Sequence, residues 1–508
     1  MQNKATAGAT RKYASKFPDL HYNQLADAGL YCSQAGFGSY RIHPAVNEHK
    51  AALEHALLSG INLIDTSANY TDGGSEDLIG HVLNDLFAQG KIERDAMIIV
   101  SKAGYLQGKN YQESQKRKNN NSAWPDLVEY SRGIEHCIHP EFLEDQLNRS
   151  LERLKVKTID IYLLHNPEYY LSWAYQIGIP LQEARQEYYQ RISRAFNYLE
   201  KEVARGRIQF YGISSNSFPG RPDDYNFTCL ETIWHIAGNI SANNHFRMVQ
   251  MPINLLEHQA ITRVTQPCKK SVLDFAIDKN FGILTNRPFN AFIRNRLFRL
   301  TDITGSLDMN LEELENNLNA LIRQENYFDE KLIETFELDT PAKKEIREIF
   351  STGSYLAVNW QKLGPYQLWI ESQSRFLTDR INHGMNILTS YPGLNDQQKK
   401  WIDLYIDTFN KALDGLTARY RTKAAREIDS LKKVIRGIDE QWDGANKMTH
   451  KALRALRTIQ GVSCVLSGMR HIDYVNDILA ELKEPVDIKV EKQNWFKLEK
   501  RLEDYFSE

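Results

Sequence analysis

Short apolar runs alternate with amphipathic stretches from about residue 30 to residue 290. The runs are "SQAGFGSY", "INLIDTS", "AMIIVSK", "TIDIYLLH", "RIQFYGISS", "FRMVQMPIN" and "FGILTN". Several are apolar on both faces, so both faces must be covered, as in a parallel sheet flanked by helices. Helical periodicity recurs between them, over 46–58, 76–87, 140–154, 182–205 and 271–279. Strand-helix alternation of this kind predicts a parallel α/β architecture. An eighth run, "VSCVLSG", arrives only at 462–468, between amphipathic segments at 450–459 and 472–482. Eight strand-helix units predict a closed, eight-stranded parallel β/α (TIM) barrel.

The late eighth strand leaves about 150 residues that read as polar and helical. They predict an α-helical domain inserted between the seventh strand and its helix. Leu311, Leu314, Leu318 and Leu321 share one helical face. Ile402, Ile406, Phe409, Leu413, Leu416 and Tyr420 continue the seam, as do Ile428, Leu431, Ile435 and Ile438. The absence of proline over 393–442 allows a helix of about 40 residues, about 60 Å long. Pro365 and Pro392 bracket a neighbouring helix with Leu368, Ile370, Phe376 and Ile381 as its apolar positions. The predicted organisation is a 1–29 extension, barrel units one to seven over 30–290, the insertion at 291–445, barrel unit eight at 446–485 and a helical tail at 486–508.

A net charge of −2 gives no sign of a nucleic-acid or membrane surface as the main partner. No apolar run approaches the length of a membrane span. The five cysteines are scattered, without CxxC spacing, and read as reduced thiols of a cytoplasmic protein. The first 18 residues carry Lys4, Arg11, Lys12 and Lys16 and no acid, and read as a frayed polar terminus. "HCIH" at 136–139 has no second ligand pair and reads as the start of a surface helix, so no metal site is expected.

Residues at the C-terminal ends of barrel strands converge on one pocket. Strand two ends at Asp65, with Tyr70 in the following loop; strand three ends at Lys102; strand four ends at His165. Each alone has a bland reading: a turn cap, a packed ring, a solvated amine, a core histidine. An acid, a phenol, an amine and an imidazole at neighbouring strand ends are harder to dismiss together.

"INLIDTSANYTDGGSEDLIG", "IIVSKAGY", "DIYLLHNP" and "FYGISSN" resemble the sequence blocks of the aldo-keto reductases, over about residues 30–290 and 445–485. The resemblance implies a catalytic tetrad at Asp65, Tyr70, Lys102 and His165. Carbonyl reduction needs a proton donor at the developing alkoxide, and a free tyrosine holds its proton at neutral pH. A neighbouring ammonium, Lys102, is expected to lower the Tyr70 pKa towards working pH, with Asp65 holding the lysine charged. His165 would complete a polarising hole for the substrate oxygen.

The resemblance also implies a nicotinamide dinucleotide across the barrel mouth. Gly38 and Ser39 would form its floor. Ser214, Ser215, Asn216 and Gln250 occupy the carboxamide-binding positions, with either Ser215 or Asn216 holding the amide. Arg287 would lie near the pyrophosphate. Ser467, Gly468 and Met469 would lie at a helix N-terminus, a natural phosphate site. Arg470 could pair with a 2′-phosphate, so NADP is expected, with NAD the alternative. Ile253 stands where an aromatic residue usually stacks on the nicotinamide. The loop 107–139 is expected to shape the substrate pocket, with Trp124 and Tyr130 as lining residues.

Two functions follow. One is an NAD(P)-dependent oxidoreductase acting on a small carbonyl, sugar or polyol. The other is a non-catalytic nicotinamide-binding sensor or scaffold whose helical insertion binds a protein partner. Homo-oligomerisation through that insertion is a further possibility.

Overall fold

The structure, a computed structural model, describes residues 3–294, 296–303, 310–390, 393–489 and 492–507. It divides into two compact units. The first comprises Met1–Ile293 and Val434–Glu508, and the second Arg294–Lys433.

The first unit holds a closed barrel of eight parallel strands. In chain order these are β1 (Ala35–Gly38), β2 (Leu63–Asp65), β3 (Ile98–Ala103), β4 (Ile159–His165), β5 (Ile208–Ser214), β6 (Phe246–Pro252), β7 (Gly282–Asn286) and β8 (Val462–Gly468). Each pairs with its sequence neighbours, and β8 closes on β1 through the Val465–Ala35 and Ser467–Phe37 registers. The strands are buried on both faces, which is why they read as apolar runs rather than alternations. Alternate residues fill the interior: Ile98 and Val100 from β3, Ile161 and Leu163 from β4. Helices such as Asn47–Leu58, Gly74–Ala88 and Pro140–Leu154 follow successive strands. In Pro140–Leu154, the apolar positions Phe142, Leu143, Leu147 and Leu154 form the buried face. Of "HCIH" only His139 caps this helix, accepting from the Glu141 amide; His136 ends the strand Ile134–His136 and, with Cys137 and Ile138, is buried rather than at a surface helix start.

The N-terminal expectation is corrected. Ala7–Ala14 is a helix capped by Thr6, and its Tyr13 is buried. Strands Tyr22–Gln24 and Tyr31–Ser33 form an antiparallel hairpin. Ala5, Leu25, Leu30 and Cys32 join the barrel's interior cluster. The segment closes one end of the barrel through these four buried residues. The loop expected over 107–139 is likewise structured. It carries the helix Gly108–Asn119 and, with Tyr105–Leu106, a three-stranded antiparallel sheet through Val128–Ser131 and Ile134–His136.

The second unit is helical, with Leu311–Tyr327, Thr340–Ile349, Thr352–Asn359, Tyr366–Ser372, Thr378–Thr389 and most of the 40-residue helix Asp396–Ile435. Leu314, Leu318, Leu321, Ile402, Phe409, Leu413, Leu416 and Tyr420 are core, as their spacing implies. Leu311 and Ile406 are exposed, and Tyr405 and Ala412 complete the seam. In the 366–389 region only Ile381 of the expected four residues is buried; Leu368, Ile370 and Phe376 are exposed. Trp369 is the buried anchor there. Its ring stacks on Tyr420 at 5.2 Å, and its Nε1 donates to Thr417 Oγ1 at 2.8 Å. Pro392 lies outside the described residues.

Candidate active site

The ends of β2, β3 and β4 bring Asp65, Lys102 and His165 together, and the turn after β2 adds Tyr70. Lys102 is fully buried, and its Nζ donates to Asp65 Oδ2 and to Thr66 O, both at 2.8 Å. Its third contact is the Tyr70 hydroxyl at 3.4 Å. An ammonium has only donors, so the Tyr70 oxygen accepts from Lys102 and its own proton is left to a ligand. Tyr70 is held by an unusual turn. Thr71, Asp72 and Gly73 all take positive φ, at 49°, 55° and 88°. Glycine adopts that conformation freely, whereas Thr71 and Asp72 each incur about 1–2 kcal/mol.

His165 packs edge-on to the Tyr70 ring, with centroids 5.9 Å apart. Its Nδ1 lies 3.1 Å from Ser67 Oγ. Ser67 Oγ also reaches Asn69 Oδ1 at 2.7 Å and Lys102 O at 3.1 Å, and its single proton goes to one of these three partners; Nε2 carries the imidazole proton when that partner is His165. The space beside His165 is crowded: a Cβ on Gly104 would lie 2.5 Å from His165 O and 2.6 Å from His136 Nε2. Only glycine fits between β3 and that carbonyl.

The electrostatics depart from expectation at one point. Tyr70 is pushed well above the usual tyrosine value, first by burial, then by the charge of Asp65 and the neighbouring Tyr40 phenol. Lys102 was expected to lower it. Its ammonium is paired with Asp65, however, so the pair presents little net charge to the phenol, and desolvation wins. Burial lowers Lys102, with Asp65 opposing. His165 is held well below its ordinary value by burial, then by Lys102 and His136, and is neutral at physiological pH. The arrangement is therefore a protonated phenol beside a neutral imidazole, with the phenol contacted by a buried ion pair and the imidazole by Ser67.

The residues expected around a nicotinamide are distributed unevenly. Gly38 pairs in register with Asp65, and Ser39 Oγ donates to Asp65 O at 2.8 Å. Gln250 Nε2 donates to Asp65 Oδ1 at 2.9 Å, while its Oε1 accepts from Ser214 Oγ at 3.0 Å. Gln250 thus ties the β5–β6 strand ends to the central carboxylate. Ser215 is buried, with its Oγ 3.1 Å from Ser217 Oγ, whereas the Asn216 side chain is exposed. Of the two, Asn216 is the one free to meet a ligand amide. Beside Gln250, Asn286 Oδ1 is buried with no hydrogen-bond partner among the described residues. An orphaned acceptor at the end of β7, an exposed amide after β5 and Gly38 at the end of β1 fit a flat polar ring with a carboxamide.

Further out, three expectations are corrected. Arg287 pairs with Glu257 at 2.9 Å and lies over the Phe292 ring, so its charge is already committed. Ser467 and Gly468 end β8, but the next helix, Ile472–Leu482, begins beyond them with His471 as its cap. The intervening Met469 is fully buried and Ser467 Oγ lies 3.5 Å from Val465 O, so neither residue sits at a helix N-terminus. Ile253 is fully buried and is not a stacking surface for a ligand. Arg470 remains partly exposed and makes no ion pair among the described residues.

Tyr130 stands near the site through Tyr169, at 4.5 Å between centroids, and Tyr169 in turn abuts Tyr105 at 5.0 Å. Tyr105 packs on His165 at 4.7 Å. Trp124 is instead buried against Phe142 under Arg117. Sequence reasoning missed Ser67, Tyr105, His136 and Glu168. Tyr105 and Glu168 each stand three residues after a tetrad member, in "KAGY" and "HNPE", which was the available signal.

The sequence matches the Aldo/keto reductase family over residues 36–289. Among curated proteins, it is 26% identical over 196 residues to the uncharacterized oxidoreductase YqkF of Bacillus subtilis, covering 39% of this chain and 49% of that protein. It is 27% identical over 192 residues to the 6-dehydroglucose reductase of Novosphingobium aromaticivorans, covering 36% and 53%. The chain spans about half the length of these curated relatives. Among solved structures, the aldo-keto reductase AKR11C1 from Bacillus halodurans, in its holo form, aligns over 95% of this chain and 96% of its own, at 13% identity and a TM-score of 0.46.

Proposed function

The chain belongs to the aldo/keto reductase family, and we propose that it is an NAD(P)-dependent oxidoreductase that interconverts a small carbonyl compound and its alcohol, with Tyr70 as general acid and base. The observation that carries this reading is the Lys102 ammonium, 2.8 Å from Asp65 and 3.4 Å from the Tyr70 hydroxyl, at adjacent strand ends. When bound, the nicotinamide supplies the hydride for the carbonyl carbon. Tyr70 donates its phenolic proton to the oxygen that becomes the alcohol. Lys102, donating to the Tyr70 oxygen, stabilises the phenolate left behind. His165, neutral beside the Tyr70 ring, polarises the same substrate oxygen in the tautomer that carries its proton on Nε2. Asp65 fixes Lys102, and Gln250 fixes Asp65. A raised Tyr70 pKa suits a group that must keep its proton until the oxygen becomes basic. In the reverse direction the phenolate accepts the alcohol proton.

Asn216 would hold the carboxamide, and Arg470, the free cation after β8, would favour the 2′-phosphate of NADP over NAD. The substrate class is a small aldehyde, ketone, sugar or polyol, in keeping with relatives named for sugar reduction. The test is a titration with NADPH and NADH, followed by turnover on a carbonyl and polyol panel. Tight NADPH binding with turnover is expected; binding of neither cofactor would overturn the reading.

A further inference from the structure

Glu168 follows β4 in "HNPE" and is 5% exposed. Its Oε1 accepts the backbone N–H of Asn216 at 2.8 Å. Its Oε2 is buried and has no hydrogen-bond partner among the described residues. Among the described residues no cation acts on it; the groups favouring its charged form are its own amide, then the Asn216 amide, the Ser215 hydroxyl and the Ser217 amide. Burial outweighs them and pushes the carboxyl up to about 7. A buried carboxylate with one oxygen unsatisfied and no counter-ion is costly. It lies directly behind the peptide whose side chain, Asn216, faces outward.

Resting on the cofactor reading above, we propose that Glu168 is a positioning residue for the nicotinamide end of the site: it anchors the Asn216 peptide and supplies a negative charge that favours the cationic, oxidised ring over the neutral, reduced one. NADP⁺ and NADPH share every phosphate, both riboses, the adenine and the carboxamide. They differ in the charge of one ring. A purely structural anchor would change both affinities by the same factor, whereas a local charge changes their ratio. For a partly ionised group acting through protein, that ratio is worth about fivefold.

The groups facing Glu168 do not titrate with it. Tyr105, Tyr169 and Tyr188 are all raised by burial and keep their protons. His165, on the same segment, stays neutral. Glu168 is left to change charge across neutral pH.

The experiment measures dissociation constants of NADP⁺ and NADPH for the wild-type chain and for Glu168→Gln, at about pH 6 and about pH 8. In the wild type, NADP⁺ should gain about fivefold on NADPH as the pH rises. In Glu168→Gln the ratio should be flat with pH and shifted towards NADPH by a similar factor. Equal changes in both affinities would make Glu168 a structural anchor and overturn the proposal. If the variant does not fold, the wild-type comparison decides alone: a ratio indifferent to pH overturns it. A wild type that binds neither cofactor would overturn the proposed function and this inference together. One that binds both at a fixed ratio would overturn this inference only.

Discussion

Two buried glutamates distinguish the barrel unit from the helical unit. Glu325 lies in the helical core at 4% exposure, and both its oxygens are engaged. Oε1 accepts from Gly353 N at 2.6 Å and Tyr405 Oη at 3.2 Å, and Oε2 accepts from Ser354 N at 3.3 Å. It caps the start of the helix Thr352–Asn359 and ties it to the helices Leu311–Tyr327 and Asp396–Ile435. Glu168, in the barrel unit, is equally raised by burial, to about 7, yet has one oxygen without a partner. A carboxylate satisfied on both oxygens serves the fold. One left half-satisfied behind a strand-end peptide keeps a charge that can act on that end of the site. The barrel unit gathers Asp65, Lys102 and His165 at neighbouring strand ends, where chemistry is feasible; in the helical unit the buried Glu325 serves as a cap.

The contrast can be broken most forcefully at Lys102. Lys102→Met removes the ammonium that supports the Tyr70 phenolate, and turnover should fall about 10²–10⁴-fold in steady-state assays. Its counterpart in the helical unit is Trp369→Ala. That change empties the stack on Tyr420 and should cost about 3–5 kcal/mol, read as faster hydrogen exchange along Asp396–Ile435. Glu325→Gln sharpens the comparison through pH. The folded carboxyl titrates at about 7 against an ordinary 4.5, so the protonated form is the one the fold favours. Its stabilising effect is full below about pH 4.5 and is lost as the pH rises to about 7, on the order of 3 kcal/mol. Denaturant unfolding of the wild type should weaken over that window, and the glutamine variant should lack that slope. The smallest expected effect is that of Arg470→Ala, which should weaken NADPH about tenfold and leave NADH nearly unchanged in fluorescence titrations.

The barrel was legible because buried parallel strands leave continuous apolar runs, and three of the four tetrad members end such runs. Tyr70 was legible from its place in "NYTDGG" after the Asp65 strand. What could not be read depends on neighbours distant in sequence. Gln250 reaches Asp65 across 185 residues, and no local pattern encodes that bond. The upward shift of Tyr70 follows from burial and from Asp65 cancelling Lys102, a balance that spacing does not reveal. Arg287 looked free in "TNRPFN" because its partner, Glu257, stands 30 residues earlier. The last barrel helix begins at Ile472, as its periodicity implied, but Ser467, Gly468 and Met469 do not stand at its N-terminus, because Met469 is buried between strand and helix. In the helical unit the heptad-like seam was legible, but Ile406 and Tyr405 exchange places because a long helix drifts relative to a strict repeat.

The most direct measurement is of Tyr70→Phe, with NADPH affinity and carbonyl turnover determined on the same preparation. Phenylalanine keeps the ring against His165 and Tyr40 and removes only the hydroxyl that Lys102 contacts. The expected result is NADPH binding within about twofold of wild type and turnover reduced at least about 100-fold. Turnover retained near the wild-type rate would contradict a phenol held protonated by burial as the proton donor of this site.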